Sequence, residues 1–414
     1  MKKLFAFFLG AILLTACANA DKTVFVVVRN NISLDRSNEL IEVDMATVAQ
    51  RLNMSDTAQI IVLNPDDQQV PYQITNDNKV LFPATVSANK SIVYRIEIGT
   101  PEAFGVKACG KCYPERVDDV AWENDLIAFR TYGPALQASG EKAYGFDVWV
   151  KRGTTDPVVE DRYKKELNPE VQTKLLELKK KDPKAADAFL KSISYHYDHG
   201  NGLDCYKVGP TLGACTPALM RGDSIIYPYC YHTQEILDNG PLRFTVKLVY
   251  NPVLINGDSI VETRIIYLDA GTHLNKMTVS YLNLKNPMLM AVGIVLHDEK
   301  IDANINANND YISYSDPTDR PNDGYGKIFV GAVFPDSVEG SKPVFYPSTE
   351  IDKMHDGTFG HVLASKKYMP NTSFTYYWGA AWSKADIKTF DEWNAYLKQS
   401  VKKLRAPLQV SIQE

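Results

Sequence analysis

The chain has 414 residues, with 45 Lys+Arg against 50 Asp+Glu and a formal net charge of −5. An apolar fraction of 45% and a charged fraction of 23% belong to a globular protein and exclude wholesale disorder or a coiled coil. An acidic chain with no Lys/Arg stripe interleaved with aromatics gives nucleic acid no field to bind, so none is expected as a partner.

Lys2 and Lys3 precede the apolar run Leu4 to Leu14. That run suits the core of a signal peptide and is too short for a permanent membrane span, which takes roughly 20 residues. It closes on Leu14-Thr15-Ala16-Cys17, which resembles the lipobox of bacterial lipoproteins. The resemblance implies a signal peptide over 1–16, an acylated Cys17 and a tether over 17–22. The protein is then anchored by lipid to the outer membrane, on either face, and an ordinary cleavable signal is the alternative. The remaining five cysteines are Cys109, Cys112, Cys205, Cys215 and Cys230, so at least one thiol stays unpaired in an oxidising compartment. Cys109-Gly110-Lys111-Cys112 lacks the second pair of a structural zinc site and the βαβ context of a redox motif. It reads as a small loop disulfide or as spare thiols.

Residues 23–100 predict a β-sandwich. Thr23 to Val28 is a β-branched run, Glu39 to Asp44 alternates, and Ile92, Tyr94, Ile96 and Ile98 point one way. Gly99-Thr100-Pro101 marks a boundary. From there to 382 the pattern stays strand-rich, with a helical insertion over 165–192, where Val171, Leu175 and Leu178 recur at helical spacing. Leu242 to Tyr250, Ser259 to Leu268 and Leu274 to Leu282 predict successive antiparallel strands, with Asn256-Gly257-Asp258 as hairpin chemistry. Over 383–414, Thr389-Phe390-Asp391-Glu392 is a capping box that opens a helix carrying Phe390, Trp393, Leu397, Val401 and Leu404 on one face. Pro407 ends it.

Nucleotide, zincin, α/β-hydrolase and dinucleotide motifs are absent. The densest unusual segment is Tyr195-His196-Tyr197-Asp198-His199-Gly200-Asn201-Gly202-Leu203-Asp204-Cys205-Tyr206-Lys207. Histidine moves protons near neutral pH and tyrosine serves as a second acid or base, so His196, His199 and Tyr206 are catalytic candidates. A divalent metal on His196, Asp198 and His199 is an alternative; no other cofactor is implied. A second segment runs from Arg116 to Leu136. There Asp118, Asp119 and Glu123 are expected in a turn that enters a strand over Leu126 to Tyr132, with Arg130 and Ala128 opposite Phe129 and Ile127. Gly145 to Arg152 predicts another strand, with Asp147 and Trp149 on one face. Carboxylates, arginines and a tryptophan on a sheet face are the parts of a sugar groove. Arg116, Asp119, Glu123, Asp147, Trp149 and Asp204 are therefore candidate substrate-binding residues, with His232 and Trp378 from two further aromatic segments.

Leu14 to Cys17, Arg116 to Leu136, Gly145 to Arg152 and Tyr195 to Gly213 together resemble a secreted Bacteroidota family of unknown function. Its members accompany enzymes that break down pectin and other uronate polysaccharides. Arg243 to Leu282, including Leu268-Asp269-Ala270-Gly271, is similar to the supersandwich of galactose-mutarotase-like proteins. These resemblances imply a mainly β chain, with a large antiparallel supersandwich over 104–382 after the first sandwich, and a uronate-containing poly- or oligosaccharide as partner. The expected reaction is β-elimination. Arg130 or Arg116 would neutralise the uronate carboxylate, His199 or His196 would take the proton, and Tyr206 would protonate the leaving oxygen. The alternatives are hydrolysis by a pair among Asp119, Glu123, Asp147 and Asp204, and glycan binding without turnover.

Overall fold

Val24, Val26 and Val28 alternate inward along the first strand, Val24–Arg29, as a half-buried strand requires. The computed structural model describes residues 22–413 except 153, 155, 300–304, 350 and 352–356, so the expected signal peptide and lipidated Cys17 lie outside the described residues. Val24–Arg29 pairs antiparallel with Ser91–Ile98 on one side and with the last strand, Gln409–Ile412, on the other. The end of the chain therefore completes the first domain. A second sheet of Arg36–Asp44, Lys79–Val86 and Gln73–Ile74 faces it across a core that includes Val26, Val62, Phe82 and Ile96. The helix Met45–Leu52 starts where Asp44 accepts the amide of Thr47 at 2.8 Å.

The larger part of the chain carries three antiparallel sheets of five, five and nine strands, so the fold is mainly β. Their inward side chains merge in one core, with Trp122 and Phe129 from the first sheet, Val292 and Ile294 from the second, and Phe244 and Trp378 from the third. The strands Arg243–Tyr250, Asp258–Asp269 and Leu274–Leu282 are neighbours. Asn256 (φ 51) and Gly257 (φ 87) supply the paired positive φ of a two-residue hairpin, which joins the short strand Val253–Ile255 to Asp258–Asp269.

The helical insertion holds three helices, Val159–Glu166, Pro169–Lys181 and Pro183–Ile193. Asp182 ends the second and caps the third, accepting from Ala185 N at 3.0 Å with Pro183 in the first turn. The helix Phe390–Arg405 begins in a reciprocal capping box, Glu392 N to Thr389 Oγ1 at 3.2 Å and Thr389 N to Glu392 Oε2 at 3.0 Å. It docks Trp393, Leu397 and Val401 on the nine-stranded sheet at Phe329 and Val333. At its C-terminus the buried Arg36 donates to the Ala406 carbonyl at 2.5 Å, which satisfies an orphan carbonyl and ties the helix to the first domain. Among the described residues no helix is long and apolar enough to cross a membrane.

Candidate functional site

One face of the first five-stranded sheet gathers the charges. Along Ile127–Thr131, Ile127 and Phe129 enter the main core, while Ala128 and Arg130 turn to the other side, as the period of two dictates. The register sets Arg130 opposite Asp147 and Ala128 opposite Trp149, and Trp149 opposite Asp204 on the next strand, Gly202–Asp204. On the other side Asp119–Asn124 is a strand rather than an entering turn, so Asp119 and Glu123 alternate onto the same face as Arg130. The helix Val159–Glu166 covers this face with Val159 and Tyr163.

Arg130 is 4% exposed and stands among three buried aspartates. It pairs with Asp147, reaches Asp204 at 2.8 Å and Asp119 at 3.8 Å, and donates to the Tyr163 hydroxyl at 3.0 Å. The Tyr132 hydroxyl donates to Asp147 and that of Tyr163 to Asp119, each at 3.2 Å. The guanidinium also lies over the rings of Tyr132 and Trp149. Three carboxylates around one buried cation carry excess negative charge in a dry interior. Burial accordingly pushes Asp147 up to about 7 and Asp119 and Asp204 up to about 6, against the opposing pull of Arg130.

The loop after the helical insertion forms the exposed edge of this cluster. The Asp204 amide donates to the Tyr195 carbonyl at 2.9 Å, which folds Tyr195 and His196 back over the aspartate. His196 has a 44% exposed side chain, and its Nδ1 lies 3.2 Å from the Asp204 carbonyl oxygen and 3.7 Å from Oδ2. A carbonyl only accepts, so Nδ1 carries the proton and Nε2 keeps the lone pair. Burial lowers the His196 pKa and favours this neutral form, while burial raises that of Tyr195 and keeps its proton on. The two rings are 4.4 Å apart. Arg116 Nε donates to the Tyr195 hydroxyl at 3.1 Å, and no carboxylate pairs with its terminal nitrogens among the described residues. Arg320 donates to the His196 carbonyl and lies over the rings of Tyr197 and Tyr325.

The other expected residues are buried, serve as structural contacts, or lie elsewhere. Tyr206 is 5% exposed in the main core, its hydroxyl without a partner and its ring against His297. His297 Nδ1 is 2.6 Å from Asp316 Oδ2. His199 is exposed, with Nε2 3.0 Å from the Ser194 carbonyl, and Asp198 pairs with Arg152 at 2.7 Å. Glu123 accepts the amides of Val158 and Val159 and pairs with Lys151 at 2.7 Å, so it anchors the start of the covering helix. Trp149 is buried between Tyr163 and Tyr195. Trp378 is wholly buried, stacked on Phe146 with its edge toward Phe129, so it is core. His232 is exposed on the strand Tyr231–Asn239, in the nine-stranded sheet. Tyr163, Tyr195 and Arg320 join the cluster although none of them is a candidate from the sequence. Tyr195 stood inside the His/Tyr segment, whereas nothing local marks Tyr163 or Arg320. Among the described residues no group of three or more His, Cys, Asp or Glu is placed to hold a metal, and Cys109, Cys112, Cys205, Cys215 and Cys230 form no disulfide.

A family model described as a domain of unknown function, DUF4861, matches residues 28–410. An uncharacterized protein, P7 of Formosa agariphila, is 25% identical over 428 residues, covering 98% of each chain. Two solved structures from Enterococcus faecalis align with 95% of this chain at 8% identity. They are an α-mannosidase (TM-score 0.46, 46% of that chain) and a protein in glycosyl hydrolase family 38 (TM-score 0.49, 47% of that chain). This chain spans about half the length of those two proteins.

Proposed function

The chain belongs to the DUF4861 family, a domain of unknown function, and from its own residues we propose that it acts on uronate-bearing glycans by β-elimination. The observation that carries the reading is the pairing of a neutral, 44% exposed His196 with the buried, proton-bearing Tyr195, rings 4.4 Å apart, at the edge of the aspartate cluster. His196 Nε2 takes the proton α to the uronate carboxylate. The freed electron pair forms the ring double bond as the glycosidic C–O bond breaks, and Tyr195 gives its proton to the departing oxygen. Arg116 offers its terminal nitrogens to the carboxylate, where negative charge builds in the transition state.

One expected role narrows and another moves. Arg130 is enclosed by Asp119, Asp147 and Asp204 and has no face left for a substrate, so of the two expected arginines Arg116 takes the electrostatic role. Tyr206 lies in the main core, whereas Tyr195, although equally buried, carries its hydroxyl to Arg116 beside His196, so the acid role passes to Tyr195. Asp204 and its neighbours position His196 through the Asp204 carbonyl. Hydrolysis is less well supported, because Asp147 and Asp204 both bond Nη2 of Arg130 below the surface, with no room for a sugar between them.

The proposal includes the compartment. The lipobox-like Leu14 to Cys17 supports a lipid tether that holds the site at the outer membrane. The test incubates the mature chain with pectic, glucuronan and ulvan-like oligosaccharides. Absorbance of an unsaturated uronate that is lost in His196→Ala supports elimination. Reducing ends without absorbance point to hydrolysis, and binding without either product sinks both.

A further inference from the structure

A mostly apolar cavity lies away from the aspartate cluster. It occupies about 310 Å³ beside the hairpin that begins at Val253, against the segment Tyr227–Cys230. Four tyrosines line it, Tyr227, Tyr229, Tyr250 and Tyr281, together with Glu262. The strand Ile127–Thr131 separates the two places. Arg130 turns to the covering helix, while its neighbour Thr131 lies on the other face, toward Tyr250 on the cavity wall.

Two features distinguish this cavity from a packing fault. Tyr281 is 4% exposed, and its buried hydroxyl has no hydrogen-bond partner among the described residues, a costly arrangement in a closed core. Glu262 is held by Arg264, with Nε at 2.5 Å from Oε1, and Arg264 is itself wholly buried over the Tyr250 ring at 4.2 Å. A carboxylate whose charge is already balanced, an unsatisfied hydroxyl and several ring faces form an apolar site with a few fixed polar groups, the usual make-up of a small-molecule pocket.

We propose that this cavity is a binding site for a neutral sugar ring. The tyrosine faces suit the apolar C–H faces of a pyranose, and Glu262 and the Tyr281 hydroxyl suit its hydroxyl groups. Among the described residues no Lys, Arg or His lines the cavity, so a uronate or sulfated ring would enter without a counter-charge, next to a carboxylate. The site is thus complementary to the His196 edge, where Arg116 offers a cation. The inference stands on the cavity's own chemistry, whatever reaction that edge performs.

The experiment titrates the mature chain with methyl glycosides of a neutral hexose, a neutral 6-deoxyhexose and a hexuronic acid, using saturation-transfer NMR and calorimetry. The proposal expects the neutral glycosides to bind and the uronic acid not to bind at the same concentrations. Tyr281→Phe keeps the ring and removes one hydrogen bond, so it weakens binding about five-fold. Tyr229→Ala, at a 49% exposed rim position, weakens binding without affecting folding, as judged by an unchanged thermal midpoint. Ile260→Trp fills the cavity and abolishes binding. Failure of every neutral glycoside to bind overturns the proposal. So does equal binding of the uronic acid, binding that survives both Tyr281→Phe and Ile260→Trp, or capture of benzyl alcohol in preference to any sugar. His196→Ala leaves neutral-sugar binding unchanged, so failure of the elimination reading and failure of this one give different results.

Discussion

Replacing Arg130 by Met removes the buried cation that stands among Asp119, Asp147 and Asp204 while keeping much of the side chain's bulk. The change removes charge-assisted bonds to Asp147 and to Asp204 at 2.8 Å, and a bond to the Tyr163 hydroxyl at 3.0 Å. Breaking one buried ion pair costs about 3–5 kcal/mol, because the partner is left charged without compensation. Here three carboxylates lose the same partner, so the upper end of that range is expected at pH 8. The deficit depends on pH with a fixed sign. Burial already raises Asp147 to about 7, above the roughly 3.9 of an unfolded aspartate. The folded state therefore holds more protons, and wild-type stability falls as pH rises through 7. Loss of Arg130 raises these carboxylates further, and each added unit is worth about 1.4 kcal/mol. The Arg130→Met deficit should accordingly shrink between pH 8 and pH 5.5, and adding Asp147→Asn should recover part of it. Urea unfolding at the two pH values, followed by tryptophan fluorescence, measures this, since Trp149 lies 5.4 Å from the guanidinium. A deficit below about 1 kcal/mol at pH 8, the size of an exposed ion pair, would refute the reasoning, as would a deficit unchanged by pH.

Further outcomes are expected. Glu123→Gln weakens the anchor that receives the Val158 and Val159 amides and leaves Lys151 buried without its carboxylate. It should cost about 3 kcal/mol and open residues 159–193 to limited proteolysis before the rest of the chain. Trp378→Ala empties a wholly buried site beside Phe129 and Phe146. It should cost about 3–5 kcal/mol in unfolding free energy, a loss of stability rather than of a substrate contact. Cys17→Ala should move the protein from the membrane to the soluble fraction and abolish incorporation of radiolabelled palmitate; unchanged membrane retention would remove the lipid anchor from the account.

Local chemistry explains what the sequence showed in advance. The capping box at Thr389 and Glu392, the Asn256-Gly257 turn and the alternation of Arg130 against Phe129 are set by residues within a few positions of one another, and all three appear in the structure. The strand Gln409–Ile412 was not legible, because four residues carry little periodicity and their partner is Val24–Arg29 at the other end of the chain. Asp119 and Glu123 looked like turn residues by composition. Only the register with Arg130's strand shows that they alternate on one face. The composition of the site was visible in the arginines, aspartates and the His/Tyr segment, but its division of labour was not. Whether Arg130 reaches a substrate depends on how many carboxylates fold around it, and Tyr206 and Tyr195, eleven residues apart in the chain and equally buried, part company only because one packs in the main core and the other folds back over Asp204 beside Arg116.

The most direct test of the central claim compares wild type with His196→Ala and Tyr195→Phe on one uronate oligosaccharide, reading unsaturated product over time. Wild type should form product, either variant should lose at least about 100-fold, as for removal of a general base or acid, and secondary structure should be unchanged in both. Full product formation by His196→Ala would contradict that claim.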